Sequence, residues 1–183
     1  MSQTTTGILS DLERVLVDAD TIQERVSALA HEVARDFTGC TLSVVAIMDG
    51  GLFFVADILR EIDLPMRLHT LSASSYQGGK ETSGDLKLTW PPDFDLAGQH
   101  VLLLDDILDT GITLSAIQAR ILEQNPASLR TGVLLSKKRR RIREVPAEYV
   151  GFEIEDEFVV GYGMDYQGRF RNLPCIGILR PTS

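Results

Sequence analysis

The chain has 183 residues, of which 44% are hydrophobic, enough for one domain with a sizeable core. Its formal net charge of −8 argues against general nucleic-acid binding, because proteins that hold the phosphate backbone carry excess lysine and arginine. No stretch approaches the roughly 20 uncharged apolar residues of a membrane span. The N-terminal residues lack the basic and apolar regions of a secretory signal, so we expect a cytoplasmic protein. Cys40 and Cys175 are isolated and are expected to be reduced thiols.

Apolar spacing predicts a helix and then a strand–turn–helix unit in the first part of the chain. The helix begins near Thr21, with Asp20 or Thr21 as its cap. Its apolar residues recur at helical spacing and are Ile22, Val26, Leu29, Ala30 and Val33. The strand from Leu42 to Met48 then ends in Asp49-Gly50-Gly51, and a helix from Leu52 to Leu59 follows. This unit is the first half of a βαβ motif.

A run of small and polar residues separates the next two predicted strands. Met66 to Ser74 is a mixed strand, residues 74–84 form the polar run, and Asp85 to Trp90 is a further strand. The composition is typical of either an ordinary surface connection or a flap. As a flap, with Ser75 and Tyr76 near its root, it could exclude water from a reacting centre.

The segment from Val101 to Thr113 reads VLLLDDILDTGIT and carries the most chemistry. It predicts a buried parallel strand from His100 to Leu104, a polar turn, and a helix from Thr113 to Leu122. Backbone N–H groups at such a helix start suit a phosphate. Asp105 and Asp106 are hard oxygen donors for Mg²⁺ or sugar hydroxyls.

A simpler interpretation is that the Asp and Thr residues of this turn only cap the following helix. That interpretation does not explain why two carboxylates lie side by side directly after a strand, where their repulsion must be offset. We therefore favour a site for a phosphorylated sugar held with a metal ion.

The remaining apolar segments complete an alternating pattern of strands and helices. Strands are predicted from Leu129 to Ser136, from Tyr149 to Phe152 and from Cys175 to Leu179. The pattern predicts an α/β fold, with a mostly parallel twisted sheet flanked by helices and a small subdomain from the two chain ends. Residues 137–143 are rich in lysine and arginine and are typical of a solvated loop. Lys137 differs, because it ends a strand where open α/β sheets bind ligands.

These segments together resemble the type I phosphoribosyltransferases. VLLLDDILDTGIT resembles their phosphoribosyl-pyrophosphate-binding motif. Three further segments resemble the hypoxanthine(-guanine) branch, namely IMDGG at 47–51, LLSK at 134–137 and VGFEIEDEFVVGYGMDYQGRFRNLP at 150–174. The resemblance implies the type I fold as a single domain over residues 1–183, with a flap at about 74–84. A hood would be built from the N-terminal residues and residues of about 150–183.

The resemblance also implies an activity. A 5-phosphoribosyl group would pass from phosphoribosyl pyrophosphate to a 6-oxopurine, with Mg²⁺ as cofactor, in purine salvage. The partners would be these small molecules, without nucleic acid or membrane, and the chain would form a homodimer or homotetramer. An enzyme restricted to xanthine or guanine is an alternative. An RNA-binding attenuator of the same fold, with residues 137–143 as its patch, is a second, although that branch usually has Tyr where Asp109 stands.

Roles for individual residues follow only from the resemblance. Asp109 would be the catalytic base near purine N7. The residues implied to hold the 5′-phosphate are Asp109, Thr110, Gly111, Ile112 and Thr113, Ile112 through its backbone. Asp105 and Asp106 would hold the ribose hydroxyls, directly or through Mg²⁺. The residues implied near the pyrophosphate are Asp49, Gly50, Gly51 and Arg171.

The resemblance assigns the purine pocket as well. The residues implied to contact the base are Lys137, Phe158, Val159 and Asp165. Lys137 would donate to O6, Phe158 would stack on the ring, and Val159 and Asp165 would use their main chains. The Asp165 carboxylate is also a candidate ligand for a second Mg²⁺. A cis peptide is expected at Met48–Asp49, where many relatives carry Lys in place of Asp49.

Overall fold

The structure is a computed structural model that describes residues 7–75, 86–91, 94–137 and 139–180. A 3₁₀ helix spans Ile8–Asp11. The strands are β1 Leu12–Val17, β2 Leu42–Met48, β3 Met66–Ser75, β4 Leu86–Thr89, β5 His100–Leu108, β6 Ser128–Lys137, β7 Tyr149–Ile154, β8 Val159–Val160 and β9 Ile176–Leu179. The helices are α1 Ala19–Asp36, α2 Leu52–Glu61 and α3 Ile112–Leu122. Among the described residues, no helix combines the length and apolarity that a membrane span needs.

Six strands form the main sheet, in the order β4-β3-β2-β5-β6-β7. All neighbouring pairs are parallel except β3 with β4. The chain moves from β2 outward to β3, then returns to place β5 on the other side of β2. Strand order therefore reverses between β2 and β5, and ligands of open α/β sheets bind outside the carboxyl ends of strands at such a point.

Helices cover both faces of this sheet, because successive side chains along a strand point to opposite faces. Leu102 and Leu104 of β5 lie in a core cluster with residues of α1 and α2. Leu103, between them, packs in a second cluster with Ile117 of α3. The predicted mostly parallel sheet with helices on both faces is confirmed.

A second, three-stranded sheet is built from the two ends of the chain, in the order β1-β9-β8. The apolar pattern did not predict β1, because only its end residues Leu12 and Val17 are buried. β7, which covers the first residues of the segment 150–183, belongs to the main sheet. The small sheet takes up this segment only from Val159 onward. The extent of the single domain stays a prediction, and the flap with Tyr76 lies outside the described residues.

The central strand is longer than its apolar run indicates. β5 was expected to end at Leu104, but it continues through both carboxylates to Leu108. The reason is backbone pairing, which is indifferent to side-chain polarity: Asp105 pairs with Val133 and Ile107 with Leu135 of β6. The two carboxylates are therefore held by the sheet, not by a loop after it.

The start of α1 also differs from the expectation. The helix begins at Ala19, and its cap is Asp18, not Asp20 or Thr21. Oδ1 of Asp18 accepts a hydrogen bond from the backbone N–H of Thr21 at 2.8 Å. That bond stabilises the ionised carboxylate and lowers the pKa of Asp18.

Replacing Asp18 with Ala should lower the melting temperature by a few degrees, because a first-turn N–H loses its only side-chain acceptor. Asp20→Ala is the matched control, since it removes a neighbouring acid but no cap, and its effect should be smaller. Thermal denaturation of both variants at neutral pH measures the difference. Equal losses would show that Asp18 contributes only its charge.

Candidate active site

A cavity of about 350 Å³ opens at the carboxyl ends of β2 and β5, where the strand order reverses. Besides Ala73 of β3, three sequence segments meet in its wall. They are the turn after β2 with Asp49 and Gly50, the end of β5 with the loop before α3, and the pair of Asp165 and Arg171. The topology thus brings together segments that lie far apart in the sequence.

The loop from Asp109 to Gly111 forms one end of this cavity and leads directly into α3. Gly111 has a φ of 80°, in the left-handed region that favours glycine, and it is the residue that precedes the helix. The carbonyl of Thr110 accepts hydrogen bonds from the backbone N–H groups of Ile142 and Arg143, at 2.9 and 3.0 Å. The first-turn N–H groups of a helix have no carbonyl partner within it. The loop therefore presents a fixed set of donors that suits an anion.

Asp105 and Asp106 form the floor of the cavity. Asp105 is buried, and its Oδ1 accepts a hydrogen bond from the backbone N–H of Asp106 at 3.0 Å. Burial raises the pKa of Asp105 well above its ordinary value, and the adjacent charge of Asp106 raises it further. Burial also raises the pKa of Asp106, which Arg171 partly opposes. Each carboxylate thus favours a proton or a cation beside it.

Magnesium fits this carboxylate pair only in company with a ligand. No group of three or more His, Cys, Asp or Glu side chains within the described ranges could hold a metal ion by itself. Magnesium is commonly bound by one or two carboxylates together with substrate phosphates. Asp105 and Asp106, beside a loop whose donors suit an anion, would be the protein ligands in such a site.

The glycine turn after β2 lies against Asp106. The Met48–Asp49 peptide is cis, as expected. A Cβ atom on Gly50 would lie 1.9 Å from Oδ2 of Asp106, and a Cβ on Gly51 would lie 2.6 Å from the carbonyl oxygen of Ile47. Asp49 is exposed and contributes to the cavity wall. Only glycine therefore allows this turn to approach the carboxylates so closely.

A second cavity, of about 290 Å³, adjoins the first and shares Asp109 with it. Lys137 is only 4% exposed at the end of β6, and its Nζ lies 3.9 Å from Oδ2 of Asp109. Phe158 is 58% exposed, and its ring meets Tyr166 edge-on with the centroids 5.7 Å apart. Val159 completes this part of the wall. The cavity thus combines a buried cation, a carboxylate and an open aromatic face.

Asp165 and Arg171 lie where the two cavities meet. Oδ1 of Asp165 is 2.8 Å from a guanidinium nitrogen of Arg171, and its Oδ2 accepts from the backbone N–H of Gly168 at 2.8 Å. Arg171 also donates to the carbonyl of Gly163 at 2.6 Å. A metal ion at Asp165 would compete with these donors, so this carboxylate is a weaker metal ligand than Asp105 or Asp106.

Among the described residues, the predicted site residues line the two cavities except Gly51 and Ile112, which adjoin lining residues in sequence, and Ser75, which is given only by its backbone at the end of β3. The structure also places Arg140 in the site, although its sequence context is typical of a solvated loop. Arg140 lines the second cavity, and its guanidinium lies 3.6 Å from Oδ2 of Asp109. Within a run of consecutive arginines, the sequence alone does not indicate which side chain will line a cavity.

Three of the described arginines in the basic run have polar partners within the protein. Arg139 pairs with Glu155 at 3.1 Å, and Arg140 pairs with Asp156 at 3.5 Å as well as with Asp109. Arg141 donates to the hydroxyl of Ser136 at 3.1 Å. The contacts of these three arginines are therefore made within the protein, and they lend no support to the RNA-binding alternative.

Known proteins share these features. Residues 16–167 match the model of the phosphoribosyl transferase domain. The hypoxanthine phosphoribosyltransferase of Haemophilus influenzae is 42% identical over 166 residues, which are 89% of this chain and 93% of the relative. The hypoxanthine-guanine phosphoribosyltransferase of Streptococcus pneumoniae is 37% identical over 171 residues, which are 93% of this chain and 95% of the relative. The chain belongs to the hypoxanthine(-guanine) phosphoribosyltransferase family.

The fold agrees with that of solved phosphoribosyltransferases. The crystal structure of a hypoxanthine phosphoribosyltransferase from Staphylococcus aureus superimposes with a TM-score of 0.90 at 36% identity, covering 97% of each chain. The expected type I phosphoribosyltransferase fold is confirmed.

Two glycine substitutions test how this phosphoribosyltransferase packs its turn. Gly51→Ala should cost about 1–3 kcal/mol of unfolding free energy, because its Cβ meets backbone that cannot yield without strain. Gly50→Ala should cost less stability but displace the Asp106 carboxylate, which is the end of a side chain. Gly7→Ala, with nothing within 4 Å of its Cβ, is the control. Denaturant titration and a crystal structure of Gly50→Ala measure both effects, and an unmoved Asp106 would contradict the second.

Proposed function

We propose that this protein is a purine-salvage enzyme that transfers the 5-phosphoribosyl group of phosphoribosyl pyrophosphate to hypoxanthine or guanine. The products are IMP or GMP and pyrophosphate. One observation supports this most strongly: the Asp109 side chain belongs to both cavities, one with an anion-binding loop and one with an aromatic face. A donor sugar phosphate and an acceptor base would meet at this carboxylate.

The larger cavity takes the donor. Its 5′-phosphate binds the first-turn N–H groups of α3 and the hydroxyls of Thr110 and Thr113, with Ile112 contributing its backbone alone. Asp105 and Asp106 hold the ribose hydroxyls. The pyrophosphate lies along the backbone of Gly50 and Gly51, with Arg171 as its cation. Asp49 adds no positive charge here, so the backbone of the glycine turn makes a larger contribution to binding the pyrophosphate.

Asp105 and Asp106 would hold Mg²⁺ together with the donor, since their raised pKa values favour a cation beside them. Magnesium, when bound, neutralises charge on the departing pyrophosphate. Asp165 is proposed as a ligand of a second ion, in competition with Arg171 and Gly168.

The reaction is a substitution at ribose C1′. The bond from C1′ to a pyrophosphate oxygen breaks and a bond from C1′ to the purine forms, through a transition state with oxocarbenium character. Asp109 accepts the proton that the purine loses, near N7. The Asp109 side chain lines the smaller cavity together with Lys137, and its Oδ1 has no hydrogen-bond partner among the described residues. The rest of the rate enhancement comes from holding the two substrates in a reactive geometry and from excluding water from the site.

The smaller cavity selects the base. Lys137 donates to O6 of hypoxanthine or guanine, whereas the 6-amino group of adenine cannot accept. Phe158 stacks on the ring through its open face, and Val159 and Asp165 contact the base edge through their main chains. Lys137 left without an acceptor in this buried position would cost roughly 1–3 kcal/mol, which favours 6-oxopurines.

The proposal also includes the flap, the oligomeric state and the cellular compartment of the enzyme. The flap expected at about 74–84, with Ser75 and Tyr76, lies mostly outside the described residues, and its role in limiting hydrolysis of the donor stays a prediction. The enzyme acts in the cytoplasm as a homodimer or homotetramer. The two free cysteines, Cys40 and Cys175, suit a reducing compartment.

Lys137→Met should lower the preference for hypoxanthine over adenine about tenfold or more, because the donor to O6 is lost while the length of the side chain is kept. Steady-state assays with hypoxanthine, guanine, xanthine and adenine measure kcat/KM for each base. Arg139→Met is the matched control, since Arg139 pairs with Glu155 outside both cavities. An unchanged ratio in Lys137→Met would show that another group recognises O6. A wild-type protein without activity on any 6-oxopurine would contradict the proposed function.

Asp109→Asn should lower kcat by about 10²–10⁴-fold, because the amide keeps the shape of the carboxylate but cannot take up the proton. Binding of phosphoribosyl pyrophosphate should change little, since the loop donors and the Asp105–Asp106 pair remain. Isothermal titration with the donor and Mg²⁺, beside the kinetic assay, separates the two effects. A variant with wild-type turnover would rule out Asp109 as the base.

A further inference from the structure

Arg140 bridges two acidic side chains that belong to different parts of the fold. Its Nη1 lies 3.6 Å from Oδ2 of Asp109, in the loop after β5. Its Nε lies 3.5 Å from Oδ1 of Asp156, in the connection between β7 and β8. The guanidinium is planar and carries donors on several edges, so one side chain can contact two carboxylates at once.

The two oxygens of Asp109 have different surroundings. Oδ2 faces both Arg140 and Lys137, whose Nζ lies 3.9 Å away. Oδ1 is buried and has no hydrogen-bond partner within the described part of the chain. Two cations therefore lie at ion-pair distance from the same oxygen and together restrict the rotation of the carboxylate.

Arg140 is the more adjustable of these two cations. Lys137 is buried at the end of β6, and its proposed partner in the reaction is the purine O6. While Lys137 engages the base, Arg140 remains to hold Oδ2. The other charged groups of the same cavity are Asp106, Asp165 and Arg171. Of these, Arg171 is already bound to Asp165.

We propose that Arg140, anchored by Asp156, is a positioning residue that fixes the orientation of the Asp109 carboxylate beside the purine cavity. The proposal rests on the proposed phosphoribosyl transfer. Arg140 takes no proton and need not touch the substrate. It acts by restricting the rotation of the Asp109 carboxylate, and a small misplacement of a reacting group can cost up to about 100-fold in rate.

The test is a set of variants at Arg140 and Asp156, assayed with phosphoribosyl pyrophosphate and hypoxanthine. Arg140→Ala should lower kcat about tenfold and leave both KM values within about twofold, since only the placement of Asp109 changes. Arg140→Lys keeps a cation but cannot span both carboxylates, so it should recover about half of that loss on a logarithmic scale. Asp156→Asn should lower kcat by an intermediate factor.

Combining the Arg140 and Asp156 substitutions in one variant distinguishes a shared positioning role from two unrelated losses of activity. If Asp156 acts only through Arg140, Asp156→Asn should have little further effect in an Arg140→Ala background. Arg139→Ala is the matched control, because Arg139 is the neighbouring arginine, pairs with Glu155, and is 77% exposed. Its kcat should equal that of the wild type. Melting temperatures of all variants exclude a loss of folded protein.

Each outcome decides the proposal. An unchanged kcat in Arg140→Ala would overturn it, and so would a raised KM with unchanged kcat, which would make Arg140 a substrate-binding residue. Additive effects of Arg140→Ala and Asp156→Asn would remove the anchoring role of Asp156. Wild-type nucleotide formation tests the proposed function separately, because an active wild type with a fully active Arg140→Ala variant contradicts only the positioning role.

Discussion

The repulsion between two buried, neighbouring carboxylates is the constraint around which the site is arranged. The pairing of β5 with β6 fixes the backbone on both sides of Asp106, so the two carboxylates can separate only by rotation of their side chains. Their raised pKa values show that burial opposes the charged forms. Burying such a pair lowers the stability of the fold. Carboxylates with perturbed pKa values are common at functional sites, where a cation binds beside them.

Two features of the surrounding structure accommodate the carboxylate pair. They are a glycine turn that brings only backbone against Asp106, and an arginine that is distant in the sequence. Glycine at position 50 lets the turn after β2 lie against Asp106, because a Cβ there would lie 1.9 Å from Oδ2 of that carboxylate and displace it. Arg171 brings positive charge from the segment before β9 and is itself held by Asp165 and the carbonyl of Gly163. A Cβ on Gly163 would lie 2.0 Å from the carbonyl oxygen of Gly50, so these two turns pack without space between them. The small sheet and the main sheet therefore share one site.

A polar contact outside the cavities also joins the small sheet to the main fold. The hydroxyl of Tyr162, just after β8, donates to Oδ2 of Asp57 on α2 at 2.6 Å. Burial raises the pKa of this phenol, and the adjacent carboxylate raises it further. Tyr162 stays a neutral donor across the physiological range. The segment that carries Phe158 and Asp165 is thus fixed to the same helix that follows the glycine turn.

The sequence by itself determined the alternating elements, the glycine turn, the carboxylate pair and the polar loop before α3, because each is a local pattern of apolar spacing or turn chemistry. It also placed Lys137 at a strand end. Only the tertiary structure decided that β5 runs on past Asp106, since strand length depends on pairing with a partner that is distant in sequence. The same holds for Arg140, whose neighbours along the chain are equally basic. Its role depends on Asp109 and Asp156, and residues far apart in sequence become neighbours only when the sheet has formed.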